Sequence, residues 1–331
     1  GKGDRPMAQP LSETDLLALV DALSDGNWHS GEDLASAAAI SRAALAKRVE
    51  KLRDWQLDIE ARHGLGYRLS APLQRFDVRT LRAASDVAVQ VATVVDSTNA
   101  QLLATEAAQD PQALFAEFQT AGRGRRGRNW ASPFGANLYV SLAWSFAQWP
   151  QQLTALPLAV GVVCARALRA CGLTDAGIKW PNDLLVDGRK LGGILIEHRA
   201  EAGGPCRVVI GIGINVAMTH NQARDVTQPW ISLHEACKQR GLSPIPRNVL
   251  AASLLSTLVQ GVREFAQSGF ASFSGEWHAL DLTHNHAVTI LSQDRELHGT
   301  GRGVDAQGAL VVEVLGQFHT IHSGEVSLRL A

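Results

Sequence analysis

Between Gln119 and Trp130 the chain reads Gln-Thr-Ala-Gly-Arg-Gly-Arg-Arg-Gly-Arg-Asn-Trp. Arg123, Arg125, Arg126 and Arg128 are packed between Gly122, Gly124 and Gly127 with no acid among them. Like charges this close repel one another, and glycine has the most backbone entropy to lose on ordering. An anionic ligand relieves both problems, because guanidinium forks grip phosphate and glycine lets backbone N–H groups approach it. The expectation is a mobile loop that orders over a phosphate. The alternative is an exposed Arg-Gly segment touching RNA backbone. Apolar strand-like runs on either side, and Trp130 at the loop's end, favour a folded site.

Two further stretches carry chemistry. Lys179-Trp-Pro-Asn182-Asp183 leads into Gly188-Arg-Lys190-Leu-Gly-Gly193, so two lysines flank a tight hairpin and one precedes a glycine pair on a strand. Glycines inside a strand mark close approach to the backbone. A lysine there can hold a carboxylate and a phosphoryl oxygen together, although either half alone also reads as a turn with surface lysines. Val209-Ile-Gly211-Ile-Gly-Ile-Asn215 then places alternate glycines on one strand face, a flat floor for a planar ligand, with the Asn215 amide at its end. It matches no GxGxxG fingerprint, and no Walker A sequence occurs. Glu197 and His198 follow the hairpin strand and receive no catalytic role. His284, His286, His319 and His322 read as surface residues, since no Cys or paired carboxylate joins them at ligand spacing.

These residues need a scaffold, and the chain is long enough for two or three domains. It has 331 residues, a net charge of −1 and 46% hydrophobic residues, which excludes a polybasic binder and a mainly disordered chain. No apolar run reaches the roughly 18 residues needed to span a bilayer. No signal peptide is visible, and Met7 reads as the native start after an expression remnant at 1–6. Four scattered cysteines without a CxxC pair fit a reducing cytoplasm.

Residues 12–70 read as three helices and a two-stranded wing. Leu16, Leu17, Leu19, Val20 and Leu23 recur at helical spacing, and Ser30 and Ser41 are N-caps. On the third helix, 42–55, Leu45, Val49 and Leu52 face inward while Arg42, Lys47, Arg48 and Lys51 lie off that stripe. Over 41–68, seven basic and four acidic residues leave a local excess of three positive charges, as phosphate contacts require. A DNA-binding winged helix-turn-helix follows, with a packing or dimerisation module as the alternative. Residues 71–80 read as a linker. Over 81–278, strands at 91–96, 114–119, 137–144, 184–186, 190–197 and 208–216 alternate with helices at 97–108, 153–171 and 246–266. Connections too short for helical crossovers predict a mostly antiparallel sheet. Residues 282–331 read as short strands between Gly and Asp turns, a closed or nearly closed small β-barrel.

In this order and spacing, GRGRRGR-x-W, KWPND and RKLxGIL resemble the biotin–protein ligases. With the N-terminal module the chain resembles the bifunctional bacterial members that also repress the biotin operon. The resemblance spans about 12–331. It implies an α+β multidomain chain: a winged helix-turn-helix, a class II synthetase-like, SH2-like mixed α/β ligase domain and an SH3-like β-barrel. It also implies synthesis of biotinyl-5′-AMP from biotin and ATP with Mg²⁺, transfer to a lysine of the biotin carboxyl carrier protein, operator DNA binding, and a homodimer formed on binding the adenylate.

By the same resemblance Lys190 and Arg123 are catalytic. Ser97, Thr98, Gln119, Gly122, Arg123, Arg125, Trp130, Lys190, Gly193 and Gly211 hold biotin. Arg123, Arg125, Arg126, Lys179, Asn182, Asn215 and Trp230 hold ATP or adenylate, with Asp183 in support. Mg²⁺ travels with ATP near Asn215, with no direct protein ligand. Ser41, Arg42, Lys47, Arg48 and Lys51 contact DNA. Lipoate ligases share this chemistry, and a non-catalytic ligand-sensing transcription factor is the remaining reading. The phosphate clamp favours an enzyme.

Overall fold

The computed structural model describes residues 11–200, 206–292 and 294–328. The expected start at Met7, most of the turn at 200–205 and the end of the last expected strand lie outside these residues. The chain divides into two compact units, 1–74 with 219–224, and 75–218 with 225–331.

In the first unit, α1 (Glu13–Leu23), α2 (Gly31–Ala37) and α3 (Arg42–Asp54) begin at Ser12, Ser30 and Ser41. Each serine oxygen accepts a backbone N–H three residues on, satisfying a donor the helix leaves unpaired. Leu16, Val20, Leu23, Leu45, Val49 and Leu52 close the core between the helices. The wing pairs β1 (Ile59–Arg62) with β2 (Gly66–Leu69), antiparallel. The segment 219–224 joins this unit through Asp58, which accepts from Thr219 Oγ1 at 2.8 Å, and through Gln222 Nε2, which donates to Gln56 O at 2.9 Å.

The second unit is built on a seven-stranded sheet in the order β3-β4-β5-β9-β8-β7-β6. The strands are β3 (Ala88–Val95), β4 (Gln112–Gln119), β5 (Leu138–Phe146), β6 (Gly177–Lys179), β7 (Asp183–Val186), β8 (Arg189–Ala200) and β9 (Cys206–Ile214). Only β3 and β4 run parallel. Alternation along β5 and β9 separates two faces. Leu138, Val140, Leu142, Ile210, Ile212 and Ile214 enter the main core with helices α6 (Leu156–Ala170) and α8 (Arg247–Ser268). Ala143 and Val209 pack with Leu102 and Leu114 on the other face, under α5 (Thr98–Leu103).

Five strands then form an antiparallel sheet in the order β13-β12-β11-β10-β14: β10 (Ala287–Ser292), β11 (Arg295–Val304), β12 (Leu310–Val314), β13 (Gln317–Ile321) and β14 (Glu325–Leu328). Among the described residues β13 and β14 do not pair, so this barrel stays open at one seam.

Several expectations are corrected. The linker at 71–80 ends early: Phe76 is buried, and Asp77 caps a helix, α4 (Val78–Ala83). The C-terminal strands pack into the same compact unit as 81–278. Val288, Ile290, Leu310 and Val326 share the main core, and Trp180 Nε1 donates to Gly308 O at 2.9 Å. The helix expected at 97–108 stops at Leu103, where Thr105 Oγ1 bonds back to Leu102 O. Helices α7 (Leu233–Gln239) and α9 (Ala271–Leu280) were not anticipated. Two helical stretches, 153–170 and 247–268, are long and apolar enough to cross a membrane, contrary to the sequence reading. Their apolar faces are spent on each other and the sheet.

Candidate functional site

The face of β5, β8 and β9 under α5 opens into a cavity of about 240 Å³. Its floor follows from register: Gly193 pairs with Gly213, and Leu195 with Gly211, so the three glycines gather on one face of neighbouring strands. Each glycine admits a side chain that a Cβ would exclude. A Cβ on Gly211 would lie 2.4 Å from Asn99 Oδ1, and one on Gly213 2.6 Å from Trp130 Nε1. The Trp130 indole thus lies flat against the glycine floor. Its buried N–H makes no hydrogen bond among the described residues.

One wall is polar and pre-set. Gln119 Oε1 accepts the Thr98 N–H at 2.9 Å, and Gln119 Nε2 donates to Ser132 Oγ at 2.9 Å. The Ser141 hydroxyl lies 2.7 Å from Thr98 Oγ1 and donates to Asn99 Oδ1 at 2.5 Å. Ser97 caps α5 by accepting the Ala100 N–H. The preceding Asp96 carboxyl is held below its ordinary value, first by the Gln101 amide and then by the Ser97 N–H.

The opposite wall is cationic. A bulge between Leu184 and Leu185 breaks the β7–β8 register and lets Lys190 reach the cavity. Its ammonium lies 3.0 Å from Asp183 Oδ1 and 5.1 Å from the Trp130 ring centre. The other Asp183 oxygen is 3.6 Å from Lys179 Nζ, so one carboxylate holds both lysines. Asn182 Nδ2 donates to Ile194 O and ties this hairpin to the floor.

The arginine loop differs from expectation. It is folded as a tight turn in which Gly124 donates to Arg128 O and Trp130 to Gly122 O, with Arg126 left-handed at φ 56°. Its charge is partly offset by the protein itself. Arg123 pairs with Glu197 at 3.0 Å, Arg128 with Glu325 at 2.7 Å, and Arg125 Nη2 donates to Gly324 O at 3.2 Å. Burial, then the nearby Arg126 charge, holds the Arg125 guanidinium below its usual value. An anion in the cavity would relieve both effects.

Ser97, Thr98, Gln119, Arg123, Arg125, Trp130, Lys179, Asn182, Lys190, Gly193 and Gly211 therefore line one cavity. Four expected residues lie outside this lining. Gly122 packs behind it on Ser132 and Trp130, and Arg126 is exposed. Asn215 is buried, and its amide donates to Lys190 O at 3.2 Å and Ile231 O at 3.4 Å, so it fixes backbone and does not face the site. Trp230 flanks the strand at Lys190, where Lys190 N–H donates to Pro229 O. Among the described residues no group of three or more His, Cys, Asp or Glu could hold a metal. With Asp183 taken by two lysines, a hard cation here suits phosphate oxygens better than a protein cage.

On α3, Arg42, Lys47 and Lys51 are exposed, whereas Arg48 is half-buried and lies 3.8 Å from Asp15 on α1. The Ser41 hydroxyl is engaged in its cap.

Sequence reasoning missed Asn99, Gly213, Glu197 and Glu325. The alternation that exposed Gly211 also exposes Gly213. Glu325 carries no local signal, because its role depends on a fold returning from about two hundred residues away.

Comparison with known proteins places these features. The model of the biotin/lipoate A/B protein ligase family matches residues 91–215, that of the biotin protein ligase C-terminal domain 283–329, and an HTH domain 16–68. The bifunctional ligase/repressor BirA of Escherichia coli is 42% identical over 317 residues, covering 95% of this chain and 97% of that protein. The biotin–[acetyl-CoA-carboxylase] ligase of Mycobacterium tuberculosis is 33% identical over 70% of this chain and 85% of its own length. The structure of Aquifex aeolicus biotin protein ligase with biotin and ATP superposes with a TM-score of 0.62 at 25% identity, covering 74% of this chain and 99% of that one.

Proposed function

This chain belongs to the family of bifunctional biotin protein ligases and repressors, and from that we infer that it activates biotin with ATP and transfers it to the biotin carboxyl carrier protein. The N-terminal module binds operator DNA and makes the enzyme a repressor as well. The relatives are biotin ligases and lend nothing to a lipoate-specific or non-catalytic reading.

The observation that carries the site assignment is Lys190, held by Asp183 above Trp130 at the edge of a glycine floor. Biotin's bicyclic ring packs on that floor, with Thr98, Gln119 and Ser97 at its polar rim. Its carboxylate meets Lys190. In the first step a carboxylate oxygen attacks the α-phosphorus of ATP, the bond to the β-phosphate breaks, and pyrophosphate leaves. Both reactants are anions, so their approach to about 3–3.5 Å needs neutralisation and orientation. Lys190, Lys179, Arg123 and Arg125 supply it. Mg²⁺, if carried on the triphosphate, would supply further charge neutralisation there. In the second step the carrier's lysine amine attacks the acyl carbon, AMP leaves, and the amine's extra proton passes to solvent or phosphate. The loop excludes water, which would otherwise hydrolyse the mixed anhydride.

Trp230, beside Lys190, offers a stacking face for adenine, and Arg126 remains available to the phosphates or the carrier. Arg42, Lys47 and Lys51 contact DNA phosphate. Ser41 and Arg48 hold the helix that presents them. Adenylate binding favours a homodimer, whose two modules match a two-fold operator. Four free thiols support a reducing cytoplasm.

The test is to incubate the protein with biotin, MgATP and a carrier domain and weigh the carrier. One added biotinyl group, dependent on ATP and with matching pyrophosphate release, is expected. Equal modification by lipoate, or none with either acid, would overturn the reading.

A further inference from the structure

The loop's first arginine is not free in the protein. Arg123 Nη1 reaches both oxygens of Glu197, at 3.4 and 3.0 Å, across 74 residues of chain. Glu197 lies on β8, on the same strand face as Gly193 and Leu195. It is also joined to the pocket: Asn99 Nδ2 donates to Glu197 Oε1 at 3.1 Å and to Leu195 O at 3.2 Å. The Asn99 Oδ1 in turn accepts from Ser141. A continuous polar chain therefore runs Ser141–Asn99–Glu197–Arg123, from the cavity floor to the root of the loop. Gly211 makes room for its central member. Glu197 itself does not line the cavity, so it touches no bound ligand there.

We propose that Glu197 is the docking point of the arginine loop, a positioning residue that acts through Arg123 and sets how long the acyl-adenylate is retained. The Arg123–Glu197 pair holds the loop root against β8 while Arg125 and Arg128 are held at the far end by Gly324 and Glu325. Loss of the root contact lets the loop swing about its distal anchor and opens the cavity between Arg123 and β8. Asn99 makes this docking sensitive to the floor, because a ligand that reorders the Ser141–Asn99 pair also reorients the Glu197 carboxylate.

What is retained rests on the ligase reading, whereas the docking does not, and two measurements separate them. In ligand-free protein, trypsin cleavage after the exposed Arg126 should be roughly two- to fivefold faster in Glu197→Gln, the range of a half-exposed ion pair. Arg123→Gln should have the same effect, and the double substitution no more than Arg123→Gln alone. Preformed biotinyl-AMP should leave Glu197→Gln faster by a similar factor, with the single-turnover rate of adenylate formation moving less. Unchanged cleavage, or effects of the two substitutions that multiply, would overturn the proposal. If Glu197→Gln fails to fold, Arg123→Gln alone decides, because cleavage unaltered there is equally fatal. Wild-type protein that forms no adenylate would defeat the ligase reading and leave the cleavage result to stand by itself.

Discussion

Lys190 has the most demanding task of any side chain in the site. Its ammonium has one carboxylate at 3.0 Å and an indole face at 5.1 Å, so it is oriented before any ligand arrives. A preorganised charge of this kind stabilises developing negative charge without reorganisation at the moment of reaction. Lys190→Ala should reduce ATP-dependent pyrophosphate release by about two to three orders of magnitude, the usual cost of deleting such a donor. Thermal stability should change little, since the site loses a partly exposed ion pair and not core packing. Steady-state rates within a few-fold of wild type would exclude Lys190 from the first step. Lys190 and Trp130 were readable because their types are unusual in their surroundings: a lysine before a strand glycine pair, and an indole closing a glycine-rich loop. Asp183 entered only as a support that the resemblance implied, and Glu197 was given no role. An acid near basic residues is the commonest surface pattern, and only the folded register shows that these two hold the reacting cations in place.

The elements around the site depend on a buried ion pair at the rim of the sheet. Arg207 on β9 donates to Asp110 at 2.9 and 3.1 Å, to Leu102 O at the end of α5, and to Thr105. Asp110 also accepts from Ser145 on β5. Burial alone would raise the Asp110 carboxyl, but the Arg207, Ser145 and Gln112 contacts outweigh it and hold it below the ordinary carboxylate value. A carboxyl depressed in the folded state contributes stability above its unfolded value, and that contribution drains away as pH falls through the folded one. The urea midpoint of wild type should therefore drop steeply below about pH 4. Asp110→Asn should be less stable at neutral pH and lose less on acidification. Parallel curves for the two proteins would show that the pair does not anchor α5. Strands β5 and β9 were plain in the sequence because their apolar runs are long and bounded by turns. The end of α5 was not, because it is fixed by Thr105 bonding back and by Arg207 arriving from β9. The cap of α7 was overlooked although Ser232 and Glu235 stand at capping-box spacing.

At the scale of the molecule, charge decides how repression can work. The chain as a whole carries −1, while residues 41–68 carry an excess of three positive charges, so DNA attraction is confined to one module. Of the exposed bases on α3, Arg53 is paired with Glu50, which leaves Arg42, Lys47 and Lys51 to meet phosphate, and Arg48 is drawn toward Asp15. Neutralising about three phosphates gives a log–log salt slope of roughly −3 for one module, and two modules on one site approach twice that. A single module is thus a weak, salt-sensitive binder, and useful occupancy requires two copies held together. If adenylate drives that pairing, biotin with MgATP should shift sedimentation from monomer to dimer at micromolar protein. Operator binding should tighten in parallel and its salt slope should steepen toward the two-module value. Lys47→Ala should then lower the slope by about one per module while leaving carrier biotinylation intact. Arg48→Ala should chiefly destabilise the module. Sedimentation indifferent to biotin and ATP, with an operator slope that stays at the one-module value, would mean that the adenylate does not control DNA binding through dimerisation.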